Sequence, residues 1–364
     1  MQHGLPIELQ DFLERRLEGV SRAGLRERAA RMSASYRADG NSETLRDGLD
    51  ALAYAAVRMP GTFAAARAAA GRVAEALPGF APASLLDAGA GPGATTRACR
   101  AVWPSIASAT LLDRNEHLLA FAAASFAAEP DAGVLTQRRE LPGGLEDAHR
   151  ADLVVAGYVL NELTAEAQAR TLDRLWGLNS GVLLLVEPGT SDGFARLLGF
   201  RARLLGLGAH LVAPCSHAGP CPLAGPGQER WCHFARRLPR SRDHRLIKGV
   251  EAAFEDEKYG YLAFSRQAPA AAGSRILGPR ILATPRVTKG EARLTVCAPG
   301  EPAEVVIRRS DKAGYRAAKK LAWGDTAPPG STPGSLPGST SENASGGASE
   351  DASGGAPDPG GRSA

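Results

Sequence analysis

Three of the chain's five cysteines fall within one short stretch, APCSHAGPCPLAGPGQERWCHF at residues 213–234, together with two of its seven histidines. Its Pro and Gly content excludes a regular helix or strand. Thiolates are ligands for zinc and for iron–sulfur clusters, and a bound metal would supply folding free energy that this loop, with little apolar surface, lacks. Five residues separate Cys215 from Cys221 and ten separate Cys221 from Cys232, unlike the close pairs of zinc fingers. Prolines adjoin Cys215 and Cys221, as they adjoin many iron–sulfur ligands. Cys297, in RLTVCAP, is the candidate fourth ligand, whereas Cys99 reads as a small buried hydrophobe. His217 and His233 keep a mixed Cys/His zinc site open.

A second constellation is SLLDAGAGPGATTRA at residues 84–98. Gly89, Gly91 and Gly93, following an apolar run, let a ligand lie against the backbone at a helix N-terminus. Gly89-x-Gly91-x-x-Ala94 also satisfies the permissive dinucleotide pattern, so an NAD-dependent oxidoreductase is a minor alternative. Asp87 and the tight Gly-x-Gly-x-Gly spacing resemble instead the S-adenosylmethionine loop of class I methyltransferases. Asp113, ending ATLLD, is placed to accept hydrogen bonds from both ribose hydroxyls and fits either cofactor. After ADLVVAG, the polar residues Tyr158, Asn161 and Glu162 are candidates for a catalytic role at the carboxyl edge of the sheet. Helix capping is the competing role for Asn161 and Glu162.

These residues need a scaffold, and the patterning supplies one. Residues 1–80 form an N-terminal helical region, with apolar residues at helical spacing broken at Asp39-Gly40-Asn41, Pro60 and Pro78. From Ser84 the short apolar runs SLLDAG, ATLLD, ADLVVAG and GVLLLVEP alternate with amphipathic segments. This predicts an α/β fold, a Rossmann-like and mostly parallel sheet over residues 81–210. Residues 211–250 hold the cysteine loop and a basic segment. Residues 251–325 complete the fold with short strands and a basic helix, and residues 326–364 form a disordered tail rich in Gly, Ser and Pro.

The 364 residues carry a formal charge of +4. From Thr326 onward four acids face one arginine, a charge of −3, so the body carries +7. Much of that is concentrated in Arg236, Arg237, Arg240, Arg242, Arg245 and Lys248, and in Arg308, Arg309, Lys319 and Lys320. Joined by a metal site, the two runs would make a surface for RNA phosphates, with Trp231, His233 and Phe234 available for stacking. No DNA partner is expected. The beginning of the sequence lacks an apolar h-region, and no stretch approaches the length of a membrane span. A cytoplasmic protein without membrane association is therefore expected.

The stretches AYAAVRMPGTFAA, SLLDAGAGPGATTRA, VLNEL, LLLVEPGT, APCSHAGPCPL, WCHFARR and YRAAKKLAWGD, in this order, resemble the methyltransferase-like assembly factors of the mitochondrial small ribosomal subunit, which have bacterial relatives. The resemblance runs from about residue 20 to Asp325, and the cysteine loop is its most specific part. It implies a class I methyltransferase fold, association with the small ribosomal subunit and its RNA, and a four-iron four-sulfur cluster on Cys215, Cys221, Cys232 and Cys297. The loop after the fourth strand departs from an Asn-Pro-Pro-Tyr pattern. Methylation of ribosomal RNA and assembly without turnover are thus both consistent with the sequence.

Overall fold

A computed structural model of the chain describes residues 4–38, 45–127, 133–225, 230–268 and 278–327. The break expected at Asp39-Gly40-Asn41 and the tail beyond residue 327 lie outside the described residues. Helices α1 (Ile7–Leu17), α2 (Arg22–Ala38), α3 (Gly48–Val57) and α4 (Met59–Ala76) come first. Strands β1 (Ser84–Ala88), β2 (Ser108–Asp113), β3 (Val134–Arg138), β4 (Ala151–Gly157) and β5 (Asn179–Pro188) then alternate with α5 (Ala94–Arg100), α6 (Glu116–Phe126) and α7 (Ala165–Leu178). Next are α8 (Ser191–Gly206), β6 (His210–Ala213), β7 (Phe234–Pro239), α9 (Arg242–Lys248) and β8 (Phe254–Ser265). The chain continues through β9 (Arg286–Val287), β10 (Glu291–Val296), β11 (Ala303–Arg308) and α10 (Lys312–Ala318).

The main sheet has the order β3-β2-β1-β4-β5-β8-β6, with β7 also paired to β8. The first five strands run parallel, and β8 is antiparallel to β5, β6 and β7. A parallel sheet closed by one antiparallel strand inserted before its edge is the class I methyltransferase arrangement. Strand β8 lies in the segment 251–325, expected to complete the fold with short strands, and its buried half is YGYLAFS. Strands β9 to β11 form a separate small antiparallel sheet.

Burial on both faces explains why β5 reads as a continuous apolar run. Its Val182, Leu184 and Val186 face α4, whose Ala65, Ala69, Ala70 and Val73 are fully buried. Alanines let the helix axis approach the sheet closely. On the opposite face Leu183 and Leu185 meet Leu172, Leu175, Phe200 and Leu204 of α7 and α8. Helices α1 to α3 form their own apolar cluster against the start of α4 and α5. Strand order reverses between β1 and β4, so the carboxyl edge there opens a crevice where ligands bind in such sheets.

Candidate cofactor crevice and cysteine chamber

The crevice is lined by Gly89, Gly91, Asp113, Tyr158 and Glu162, among others. Three left-handed glycines make the turn, with φ of +73° at Gly89, +53° at Gly91 and +83° at Gly93. A Cβ on Gly89 would lie 2.3 Å from Val159, whereas one on Gly91 would meet only Leu118 at 3.9 Å. The first glycine is thus required by packing and the second leaves the crevice open. Gly93 caps α5 and does not line the crevice; a Cβ there would meet Phe126 at 2.8 Å. Asp113 accepts from the amides of Gly91 and Asn115, each at 2.8 Å. Burial raises its pKa, partly offset by those amides.

Asp87, expected at the cofactor, is fully buried and does not line the crevice. It accepts from the Thr96 hydroxyl at 2.7 Å and the Thr96 amide at 3.1 Å. The carboxyl pins the first turn of α5 beneath the glycine loop. Burial pushes it up to about 7.

Tyr158 alone among the described non-glycine residues has a positive φ, +59°. Such backbone costs about 1–3 kcal/mol and persists only where the surroundings hold it. Its hydroxyl donates to Glu257 Oε1 at 2.9 Å, and burial raises both the phenol and the Glu257 carboxyl. Glu162 lies 3.4 Å from Arg114. Asn161 does not line the crevice; its buried Oδ1 has no hydrogen-bond partner among the described residues, and its backbone N–H faces Glu187. Neither Asn161 nor Glu162 caps α7, because Thr164 does, accepting from Ala167.

Two acids escaped the sequence reading. Glu187 ends the apolar run of β5, fully buried and 2.8 Å from Arg196. Burial pushes it up to about 7 despite the guanidinium. Glu257 is hidden among the acids of FEDEKYG, where only tertiary burial separates it from its exposed neighbours.

Cys215, Cys221, Cys232 and Cys297 line one chamber with a volume of 40 Å³. Two come from the loop after β6, one precedes β7 and one follows β10. Cys99 lies apart in the core beneath the glycine loop. Burial, and then the neighbouring cysteines, push the Cys297 thiol up to about 12 and raise Cys232 further. Two buried arginines brace the loop. Arg201 of α8 donates to the carbonyls of His217 at 3.0 Å and Gly219 at 2.7 Å, and Arg280 donates to those of Pro214 and Gly324, each at 3.0 Å. His217 Nε2 is 3.4 Å from Cys297 Sγ. His233 is turned away, its Nδ1 3.1 Å from the Trp231 carbonyl and its ring 4.6 Å from that of Trp323. Among the described residues, no group of three or more His, Cys, Asp or Glu is arranged to hold a metal ion.

The basic runs are less uniform than their sequence. Arg237 pairs with Asp256, while Arg240 and Lys248 pair with Glu255. Arg236, Arg242, Arg308, Arg309, Lys319 and Lys320 are exposed, and Arg245 is half-buried. Trp231, offered for stacking, is tied through Nε1 to the Gly189 carbonyl at 2.9 Å.

The profile of the family described as mitochondrial small ribosomal subunit Rsm22 matches residues 48–328. The chain belongs to the Rsm22 family. It is 28% identical over 298 residues to the Homo sapiens ribosome assembly protein METTL17, mitochondrial, covering 76% of this chain and 62% of that protein. It is 27% identical over 291 residues to Rsm22-cox11 tandem protein 2, mitochondrial, of Schizosaccharomyces pombe, covering 67% and 38%. The chain therefore spans less than two thirds of either relative. Among solved structures, an O-methyltransferase family protein from Burkholderia thailandensis superposes with a TM-score of 0.40 at 14% identity, covering 61% of each chain.

These relatives correct the expected cytoplasmic location. The Rsm22 family and both relatives are named as mitochondrial, which points to the mitochondrion. The expectation rested on the lack of an apolar h-region, a feature of secretory signals; mitochondrial targeting segments are amphipathic and basic.

Proposed function

We propose that this Rsm22-family protein is a methyltransferase-like assembly factor of the small ribosomal subunit that binds S-adenosylmethionine and small-subunit RNA. The observation that carries the cofactor reading is the meeting of Gly89, Gly91 and Asp113 in one crevice at the reversal of strand order. There Asp113 would accept from the ribose hydroxyls, and the open side of Gly91 would admit the ligand against the backbone. The bound cofactor supplies an electrophilic methyl group. Family membership and the name of the human relative support the ribosomal partner.

Two observations favour assembly without turnover as the second reading. Asn161 stands off the crevice and the Tyr158 hydroxyl is already engaged by Glu257. Direct methyl displacement needs mainly alignment, so the decision is experimental. Small subunits from a strain lacking the protein would be incubated with it and radiolabelled S-adenosylmethionine. Protein-dependent label in the RNA establishes turnover; cosedimentation without label establishes the binding role. Absence of both S-adenosylhomocysteine binding and cosedimentation would overturn the proposal.

The finer reading is an iron–sulfur cluster on Cys215, Cys221, Cys232 and Cys297. Two features support it. All four thiols line one chamber. Arg201 and Arg280 put two guanidiniums beside the thiols without a carboxylate in the chamber wall, so an anionic thiolate centre would be balanced there. Iron and sulfide analysis of protein purified without oxygen tests it. Stoichiometric zinc without iron would reject the cluster and bring in His217, which touches Cys297, rather than His233.

A further inference from the structure

A second cavity lies across α4 from the cofactor crevice, and the reading above leaves it unused. The first turn of α4, at Met59 and Thr62, borders the crevice. The same helix from Phe63 to Glu75 borders a groove of about 380 Å³ whose far wall is β7 and the turn at Trp323. The two linings begin side by side at Thr62 and Phe63, and at about 1.5 Å per residue their middles are offset by roughly 12 Å along the helix.

The groove has an aromatic floor. The rings of Phe234, Tyr259 and Tyr261 lie 5.0–6.0 Å apart. Trp323 stands at the mouth, 42% exposed, and its turn packs so closely that a Cβ on Gly324 would be 3.0 Å from Phe234. An exposed tryptophan above a packed aromatic floor is a stacking platform, and stacking is open to any base.

The rim is cationic where a phosphate would pass. Arg67 and Arg72 come from α4 and Arg236 from β7, against Glu75 and Asp325. Arg72 is held by Glu75 at 2.6 Å and by Thr326 Oγ1 at 2.7 Å, and Asp325 accepts from the Ala322 amide at 2.8 Å. Arg236 is exposed and has no carboxylate partner among the described residues.

Gly71 supplies the third observation. It sits inside α4, where glycine costs about 1 kcal/mol relative to alanine. It lines the groove, and a Cβ there would meet nothing within 4 Å. The missing side chain keeps the groove open.

We propose that this groove seats one unpaired RNA nucleotide, its base stacked on Trp323 and its phosphate on Arg236. The inference rests on the RNA-binding reading above and adds where on the protein the RNA is gripped. It also separates the gripping site from the cofactor crevice: the seated nucleotide is an anchor, not the methyl acceptor.

The test uses the full chain with labelled single-stranded hexauridylate and hexaadenylate, read by anisotropy and tryptophan quenching over a salt series. Trp323→Ala should lower affinity about tenfold or more and remove most of the quenching. Arg236→Ala should reduce the salt slope by about one. Gly71→Leu should fill the groove and abolish binding while melting at the same or a higher temperature, which separates loss of the site from loss of the fold. If the wild type binds the oligonucleotides and all three variants bind equally well, the groove is wrong while the RNA reading stands. If the wild type binds neither oligonucleotide nor small subunit, the RNA reading fails as well. Equal competition by duplex RNA would overturn the unpaired nucleotide.

Discussion

The amide of Gly91 donates to Asp113 Oδ2 across 2.8 Å, so the acid that ends β2 shapes the glycine loop that ends β1. The two are 22 residues apart in the chain and adjacent only because β1 and β2 pair in parallel. Asp113→Asn keeps the shape but removes the charge. S-adenosylhomocysteine affinity should fall about tenfold, as expected for losing one hydrogen bond to a charged group, and stability should fall by about 1–3 kcal/mol, because the carboxamide nitrogen must face one of the two amides that donate to the carboxylate. Calorimetric titration checks this; unchanged affinity would remove Asp113 from the cofactor site.

Gly89 and Gly91 should respond differently to alanine. Both have positive φ, which costs a residue with a Cβ about 1–2 kcal/mol. Gly89→Ala must in addition displace Val159 and should be the more destabilised by about 1–3 kcal/mol. Gly91→Ala has space behind it and should fold, yet lose cofactor by narrowing the crevice. Urea melts beside titrations separate the two effects, and equal destabilisation of both would contradict the packing argument.

Stability should fall as pH rises towards 8. Burial pushes the carboxyls of Asp87 and Glu187 up to about 7. Between the ordinary range near 4 and about 7, the folded chain keeps protons that the unfolded chain has released. The associated stability is fully present below the ordinary values and is lost as pH rises through 7, on the order of 3 kcal/mol for each group. Asp87→Asn has no such proton to lose, so its urea midpoints at pH 5.5 and 8 should converge relative to wild type. An undiminished difference would show that Asp87 is ionised throughout.

The acids of β8 should restrain RNA binding. Glu255 is approached by Arg240 at 3.2 Å, His244 at 3.3 Å and Lys248. Burial works against its ionisation, but these donors hold its carboxyl well below the usual range. Glu255→Gln should cost about 2–4 kcal/mol by leaving several half-buried cations unpaired. Asp256→Asn, breaking an exposed pair with Arg237, should stay within about 0.5 kcal/mol. It should also steepen the salt dependence of single-stranded RNA binding by about 0.7 if the released Arg237 reaches a phosphate. Salt titrations of wild type and Asp256→Asn decide it, since an unchanged slope would place Arg237 away from the RNA.

The sequence by itself determined the parallel core and the chemistry on offer. Continuous apolar runs require strands buried on both faces, positive-φ turns require glycine, and a loop with little apolar surface but three cysteines points to a ligand. These are local requirements, and they are visible within ten or twenty residues. The tertiary structure alone decided which groups meet. The run YGYLAFS enters the main sheet as the buried half of β8, filling the place between β5 and β6, and apolar patterning specifies a face but never a partner strand. Asp87 sits under the glycine loop because β1 places it inward, next to Thr96. The basic run after β7 is partly neutralised because β8 brings Glu255 and Asp256 back across it, acids that lie 15 and 19 residues from their arginines. Cys297 joins the other three thiols only when the end of β10 docks, its amide bonded to the Arg280 carbonyl at 2.7 Å. Sequence spacing measures distance along the chain, whereas pairing of charges and convergence of ligands depend on distance through space.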